Sequence, residues 1–179
     1  MSLDEFIANL ITSPIYKSLY HFTDRENLPG IRTHGILSKQ KLEHLSVNVP
    51  KPGGDSESRN SDKSLGNYDF VSVCLTPSHP MAHACRGDGR HPDQIYIPIN
   101  PIVLKAPGVI LCLGMANSAS TKRMPFEAGL PHINYEVIYT KHGRPFSEVR
   151  GVVENFRKYE VLIPKSVDTE FLGTEFKPR

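Results

Sequence analysis

Three side chains stand where their type and spacing could do chemistry. His21 and Thr23 lie two residues apart in Leu19-Tyr-His-Phe-Thr23, an aromatic and aliphatic run with the composition of a strand. Side chains alternate along a strand, so the imidazole and the hydroxyl share one face. Thr23 and Asp24 are both N-capping types, and a helix from Arg25 would set free N–H groups beside them. Such a corner can hold an anion or an amide carbonyl by ring nitrogen, hydroxyl and main chain together. It also has a plain structural use: a histidine satisfied by a backbone carbonyl and a threonine that caps the helix. The third side chain is Glu160, a carboxylate interrupting the apolar run Tyr159–Pro164. Glu is seldom buried unless it is paired or used. With Val161 and Ile163 on one face, Glu160 and Leu162 take the other. Opposite the His21–Thr23 corner, this acid could stabilise a sugar cation. On an edge strand it would simply be solvated.

The elements that must position these residues follow in order. Leu3–Ile11 has helical apolar spacing with Ser2 as cap, and Pro14 ends it. After the strand at Leu19–Thr23, the helix from Arg25 stops at Gly35, and Lys39–Leu45 forms one more short helix. Residues 46–67 hold Pro50, Pro52, Gly53, Gly54, Gly66 and many Ser, Asn and Asp. They read as a long mobile loop, a length often associated with lids or binding loops. Phe70–Leu75 is an apolar strand expected to be buried on both faces. A short helix precedes Cys85, and Gln94–Ile99 is a strand that Pro98 places at an edge. Gly108–Leu113 is another strand, and His132–Tyr139 is ambiguous between helix and strand. Phe146–Lys158 has helical spacing, Tyr159–Pro164 is a strand, and a last strand is expected around Phe171-Leu172. Helices and strands mix without a βαβα rhythm, which predicts an α+β fold.

Composition bounds the rest. The 179 residues fit one domain, residues 1–179, with 39% hydrophobic and 22% charged residues. No apolar run is long enough to span a bilayer, and the start carries no export signal, so no membrane partner is expected. Cys74, Cys85 and Cys112 are an odd set without a close pair, which predicts reduced thiols and a cytoplasmic location. The net charge of +2 neither demands nor excludes a nucleic-acid partner. His79, His83, Cys85 and His91 match no standard zinc spacing, so no metal is expected. Phosphate-loop, Gly-x-Gly-x-x-Gly and Gly-x-Ser-x-Gly signatures are all absent from the sequence.

A family resemblance rests on three blocks in order. Tyr20-His21-Phe22-Thr23, Asn27-Leu28-Pro29, Ile31 and His34–Ser38 resemble the opening of the DarT-type DNA ADP-ribosyltransferase toxins. Asp69-Phe70-Val71 leading to Thr76-Pro-Ser-His-Pro-Met81 resembles the second strand of that family and its Pro-x-x-Pro-Met turn. Arg157-Lys-Tyr-Glu160-Val-Leu-Ile163 resembles the strand bearing the catalytic Glu. The resemblance implies an ADP-ribosyltransferase-like split β-sheet core with flanking helices. It further implies NAD-dependent transfer of ADP-ribose to a base in single-stranded DNA, by a toxin paired with a macrodomain-type antitoxin. Carried over, Glu160 and the loop Arg59 would be catalytic, and His21, Phe22, Thr23, Asn27 and Leu28 would hold NAD. By their charge, Lys141, His142, Arg144, Arg150 and Arg157, within residues 141–158 before Glu160, are the residues expected to meet the DNA; the plain alternative is a solvated basic face. The alternatives are the same chemistry on RNA or protein, a 2′-phosphotransferase-like reaction on RNA, or a non-catalytic nucleotide-binding module.

Overall fold

The computed structural model describes residues 1–141 and 143–177. Helix α1 (Leu3–Thr12) opens on a capping box, in which Ser2 and Glu5 exchange side-chain and main-chain hydrogen bonds. Its buried side is Phe6, Ile7 and Leu10. Strand β1 (Leu19–Asp24) follows, then a 3-10 turn, Arg25–Asn27, leading into α2 (Leu28–His34). Asp24 rather than Thr23 is the cap, its carboxylate accepting from the Glu26 N–H at 3.0 Å. Gly35 ends α2 at φ 74°, and the chain passes through β2 (Ile36–Leu37) into α3 (Lys39–His44).

Residues 46–67 are not a loop throughout. Ser56–Ser64 forms helix α4, capped by Asp55, whose carboxylate accepts from the Ser58 N–H at 2.7 Å. None of its residues is buried, so it has no apolar stripe for periodicity to detect. Ion pairs of Asp62 with Lys39 and of Lys63 with Glu43 hold it against α3.

The remaining elements are β3 (Phe70–Cys74), α5 (Pro80–Gly87), β4 (Gln94–Ile99), β5 (Ile110–Cys112) and β6 (Arg123–Pro125). After them come α6 (Phe126–Gly129), α7 (Tyr135–Tyr139), α8 (Phe146–Phe156), β7 (Glu160–Pro164) and β8 (Ser166–Val167). Six strands form one antiparallel sheet in the order β4-β1-β3-β7-β5-β6, and β2 pairs with β8. The edge position expected of Gln94–Ile99 holds. Residues 135–139 resolve as helix. Phe171 ends a 3-10 turn, and Leu172 only bridges to Ile99, so the expected last strand is replaced by β8.

Register divides the sheet into two faces. Leu111, Val161 and Val73 lie abreast and face the main core, with Tyr139 fully buried in it. Cys112, Glu160 and Cys74 lie abreast on the other face, beside a smaller cluster of Cys112, Ala116 and Leu162. Ser72 is exposed on that face, so β3 is not buried on both sides. Between β1 and β3 the pairing is limited to Tyr20 with Cys74. Beyond that pair β1 continues with β4, and β3 continues with β7. The sheet therefore forks.

The two-stranded β2–β8 pair closes on Gly35, where a Cβ would sit 2.4 Å from the Val167 carbonyl oxygen. Gly35→Ala adds that clash to a left-handed backbone, with an expected cost of about 2–4 kcal/mol. Urea unfolding would read it as a lower midpoint at unchanged slope; an unchanged midpoint would contradict this packing.

Candidate active site

A cleft of about 520 Å³ opens at the fork. His21, Thr23, Asn27, Arg59 and Glu160 all line it. His21 and Thr23 pair across to Ile97 and Ile95, and so belong to the core face, opposite to Glu160. The parted strands let side chains from both faces reach one space. The imidazole also fills the missing rung, with His21 Nδ1 3.0 Å from the Ser72 carbonyl oxygen. Both readings of that histidine therefore hold: it is satisfied by a backbone carbonyl and it lines the cleft. Burial lowers its pKa, which keeps the ring neutral.

Glu160 is 7% exposed at the start of β7. Its Oε2 accepts from the Ala116 N–H at 2.5 Å, and its Oε1 lies 3.6 Å from His79 Nε2. Burial raises its carboxyl to about 7, opposed by the Ala116 N–H. Asp62 adds to the rise, while Lys39 and Arg123 oppose it. The buried His79 caps α5, its Nδ1 accepting from the Met81 N–H at 3.2 Å. That bond leaves the proton on Nε2, directed towards the Lys158 carbonyl and Glu160. Burial lowers His79 to about 4, so it is neutral. Phe22 is sandwiched between His21 and His79, with ring planes 14° apart on either side.

A strap around residues 48–54 walls the cleft. Asn27 Nδ2 donates to the Lys51 carbonyl at 2.7 Å and to Thr23 Oγ1 at 2.9 Å, while its Oδ1 accepts from the Lys51 N–H. Arg90 donates to the Gly53 carbonyl at 2.5 Å. His91 lines the same wall, and its buried Nδ1 has no protein hydrogen-bond partner.

Phe22 also lines the cleft. Leu28 does not: it is 5% exposed and packs in the main core, because it faces inward from the first turn of α2. Arg59 stands exposed on α4 at the rim. Lys141, Arg144, Arg150 and Arg157 are exposed, and none of them lines the cleft. Arg144 meets Glu136 at 3.4 Å, and Arg150 meets Glu154 at 2.6 Å one helical turn away. His142 lies outside the described residues. Sequence reasoning missed Asn67 and Ala116 as site residues, and for His79 and His91 it set a structural or surface role above metal binding. Among the described residues no group of three or more His, Cys, Asp or Glu is placed to hold a metal ion.

The forked antiparallel sheet, with a carboxylate at the head of a central strand and facing the fork, defines an ADP-ribosyltransferase-like fold. The sequence profile described as "ssDNA thymidine ADP-ribosyltransferase, DarT" matches residues 20–174, and the chain belongs to that family. A DNA ADP-ribosyl transferase–DNA ADP-ribosyl glycohydrolase fusion protein of Thermosipho africanus is 24% identical over 166 residues. The match covers 89% of this chain and 42% of the fusion protein, so the chain spans less than half of that relative. Among solved structures, Thermosipho africanus DarTG in complex with ADP-ribose superposes with a TM-score of 0.67 at 22% identity. That superposition covers 87% of this chain and 42% of the other. Thermus sp. 2.9 DarT in complex with ADP-ribosylated ssDNA gives 0.64 at 15% identity, over 90% and 82% of the two chains.

Glu160 yields a pH prediction. Its folded pKa, about 7, exceeds its ordinary value of 4.5. A raised pKa contributes stability that is complete below 4.5 and lost as pH rises through 7. Glu160→Gln is therefore expected to gain stability relative to the parent chain across that window, on the order of 3 kcal/mol at most. Urea unfolding at pH 5 and pH 8 measures it, and a difference that is flat with pH would rule out the buried, uncompensated acid.

Proposed function

We propose that this protein is an NAD-dependent ADP-ribosyltransferase that modifies thymidine in single-stranded DNA, as the toxin of a toxin–antitoxin pair. The observation that carries this reading is the meeting of Glu160, His21, Thr23 and Arg59 around one cleft in the fork of the sheet. The family description, ssDNA thymidine ADP-ribosyltransferase, supports the substrate class. Thermus sp. 2.9 DarT has been solved in complex with NAD+. In this chain the cleft volume lies within the range usual for small-molecule sites. Its lining mixes aromatic and apolar walls with polar groups from His21, Thr23, Lys39 and Arg59 and the unpartnered Nδ1 of His91. That set suits a dinucleotide substrate.

His21, Phe22, Thr23 and Asn27 are the proposed NAD contacts. His21 and Thr23 hold the cofactor directly, with Thr23 or its neighbours at the nicotinamide amide. Asn27 acts by holding the strap. Arg59 neutralises the pyrophosphate from the rim and sets its position. Glu160 in its ionised form stabilises the positive charge that grows on the ribose as the bond to nicotinamide breaks. A nitrogen of the base forms the new bond to that ribose carbon, and its proton passes to Glu160. A pKa near the working pH suits an acid that must be charged first and take a proton later.

A base must be unstacked to be modified, which favours single strands. Lys141, Arg144, Arg150 and Arg157 are proposed to meet the strand's phosphates as it approaches. The glycohydrolase half of the Thermosipho africanus fusion protein motivates a macrodomain-type antitoxin that removes the mark. No described helix is long and apolar enough to cross a membrane. The three cysteines are buried and unpaired, in keeping with a cytoplasmic site of action.

The test incubates the chain with NAD and single-stranded oligonucleotides containing or lacking thymidine, and reads mass. The expected result is a gain of one ADP-ribose on thymidine-containing strands. The rate should rise with pH through about 7 as Glu160 ionises. Glu160→Gln should lower it by ~10² to 10³ or more while remaining folded. Modification of RNA or protein alone, or release of phosphate from RNA ends, would replace the DNA reading.

A further inference from the structure

The chemistry proposed for Glu160 needs its carboxylate held in one place, and the structure devotes a network to the residue whose N–H holds it. Arg123, Cys112 and Glu160 lie abreast on β6, β5 and β7, facing the same side of the sheet. Two strand spacings separate Arg123 from Glu160, about 10 Å at the main chain. The guanidinium makes no ion pair with that acid. It donates instead to three other acceptors: Leu65 O at 2.9 Å, Asn67 Oδ1 at 3.0 Å and Ala116 O at 2.5 Å. Asn67 Nδ2 adds a second donor to the Ala116 carbonyl at 2.7 Å. The same residue, across its Cα, offers the Ala116 N–H to Glu160; the peptide that carries this N–H is held at its own carbonyl, Met115 O, by Thr121 Oγ1 at 2.8 Å. Ala116 is 2% exposed, so both its N–H and its carbonyl must find partners inside the protein.

The network also reaches the helix that bears Arg59. Leu65, whose carbonyl Arg123 takes, is the C-cap of α4, and the Asn67 N–H donates to the Asp62 carbonyl at 2.7 Å. A planar guanidinium with several donors can take the end of one helix and a loop peptide at once, which a lysine cannot.

We propose that Arg123 and Asn67 are positioning residues: by gripping the Ala116 carbonyl they fix the Ala116 main chain, so that its N–H on the preceding peptide stays in reach of Glu160, and they lock the Arg59-bearing helix to that same residue. The role assigned to Glu160 comes from the proposed transferase reading; the grip itself is a property of the fold. Losing it frees the main chain at Ala116 to shift, and its N–H with it. The carboxylate then loses a hydrogen bond to its charged form, and its proton is held more tightly. The other groups facing this carboxyl are His79 from α5, Cys74 from β3, Cys112 from β5, and the Lys39 and Asp62 pair. All of them remain in an Arg123 variant.

The experiment follows the Ala116 amide by NMR in the full-length chain, labelled with nitrogen-15, across a pH titration. In the parent chain this amide should be protected from exchange and should report the Glu160 titration, a response absent in Glu160→Gln. In Arg123→Lys, which keeps the charge, exchange should quicken by about tenfold, the worth of one hydrogen bond. The titration midpoint should move to higher pH. Asn67→Ala gives an independent reading should Arg123→Lys not fold. For DNA modification, both variants should lower kcat at neutral pH and shift the acid limb of the rate upward, with a smaller rise in the KM for NAD as the Arg59-bearing helix loosens. Folded variants whose Ala116 amide stays protected, with an unmoved midpoint, would overturn the proposal whatever their activity. A parent chain that shows the amide behaviour but modifies no DNA would instead overturn the transferase reading and leave the grip standing.

Discussion

The structure depends on keeping one carboxylate out of water at the head of a central strand. Glu160 must leave the solvent to face the cleft, and a charge taken from water is costly unless other groups replace the lost hydration. The fold supplies a short N–H bond from Ala116 and the neutral ring of His79. It adds the more distant charges of Lys39 and Arg123. The replacement is partial, so the acid titrates near neutrality. A carboxylate fully compensated by an ion pair would be easier to fold around and a poorer proton acceptor.

The fork in the sheet is the second constraint. Two strands that part leave main-chain groups without ladder partners, and buried ones must be satisfied. The His21 ring takes up the Ser72 carbonyl at the point of parting, so the gap is bridged by a side chain that also faces the cleft. Phe22 next to it stacks between His21 and His79. The row of three near-parallel rings runs from the fork towards Glu160; His21 and Phe22 line the cleft, and the buried His79 backs them.

Much of this was legible in the sequence. The alternation at Glu160–Ile163, the strand–corner–helix at Leu19–Gly35 and the edge mark of Pro98 all translate directly into β7, the β1–α2 corner and β4. What escaped reading was polar. Helix α4 buries no residue and so carries no periodic signal. Ala116 acts through its main chain, which side-chain type does not report. Asn67 sits in a stretch whose composition suggests only a loop, and its role appears when Ala116 O and Asp62 come within its reach. Leu28 was assigned to the cleft by resemblance, while its apolar type and its position in the first turn of α2 place it in the core.

The strap beside the cleft is gripped by its main chain. Asn27 takes both the N–H and the carbonyl of Lys51, and Arg90 takes the carbonyl of Gly53. Such holds are blind to what the strap's own side chains are. Val49, Pro50 and Pro52 can therefore drift in identity while the path of the strap stays fixed. Gly53 is the exception, since a Cβ there would meet the His91 ring at 2.9 Å. The rim of the cleft is in this sense a replaceable facing on a fixed frame, and kin of this chain can vary its chemistry without redrawing its outline.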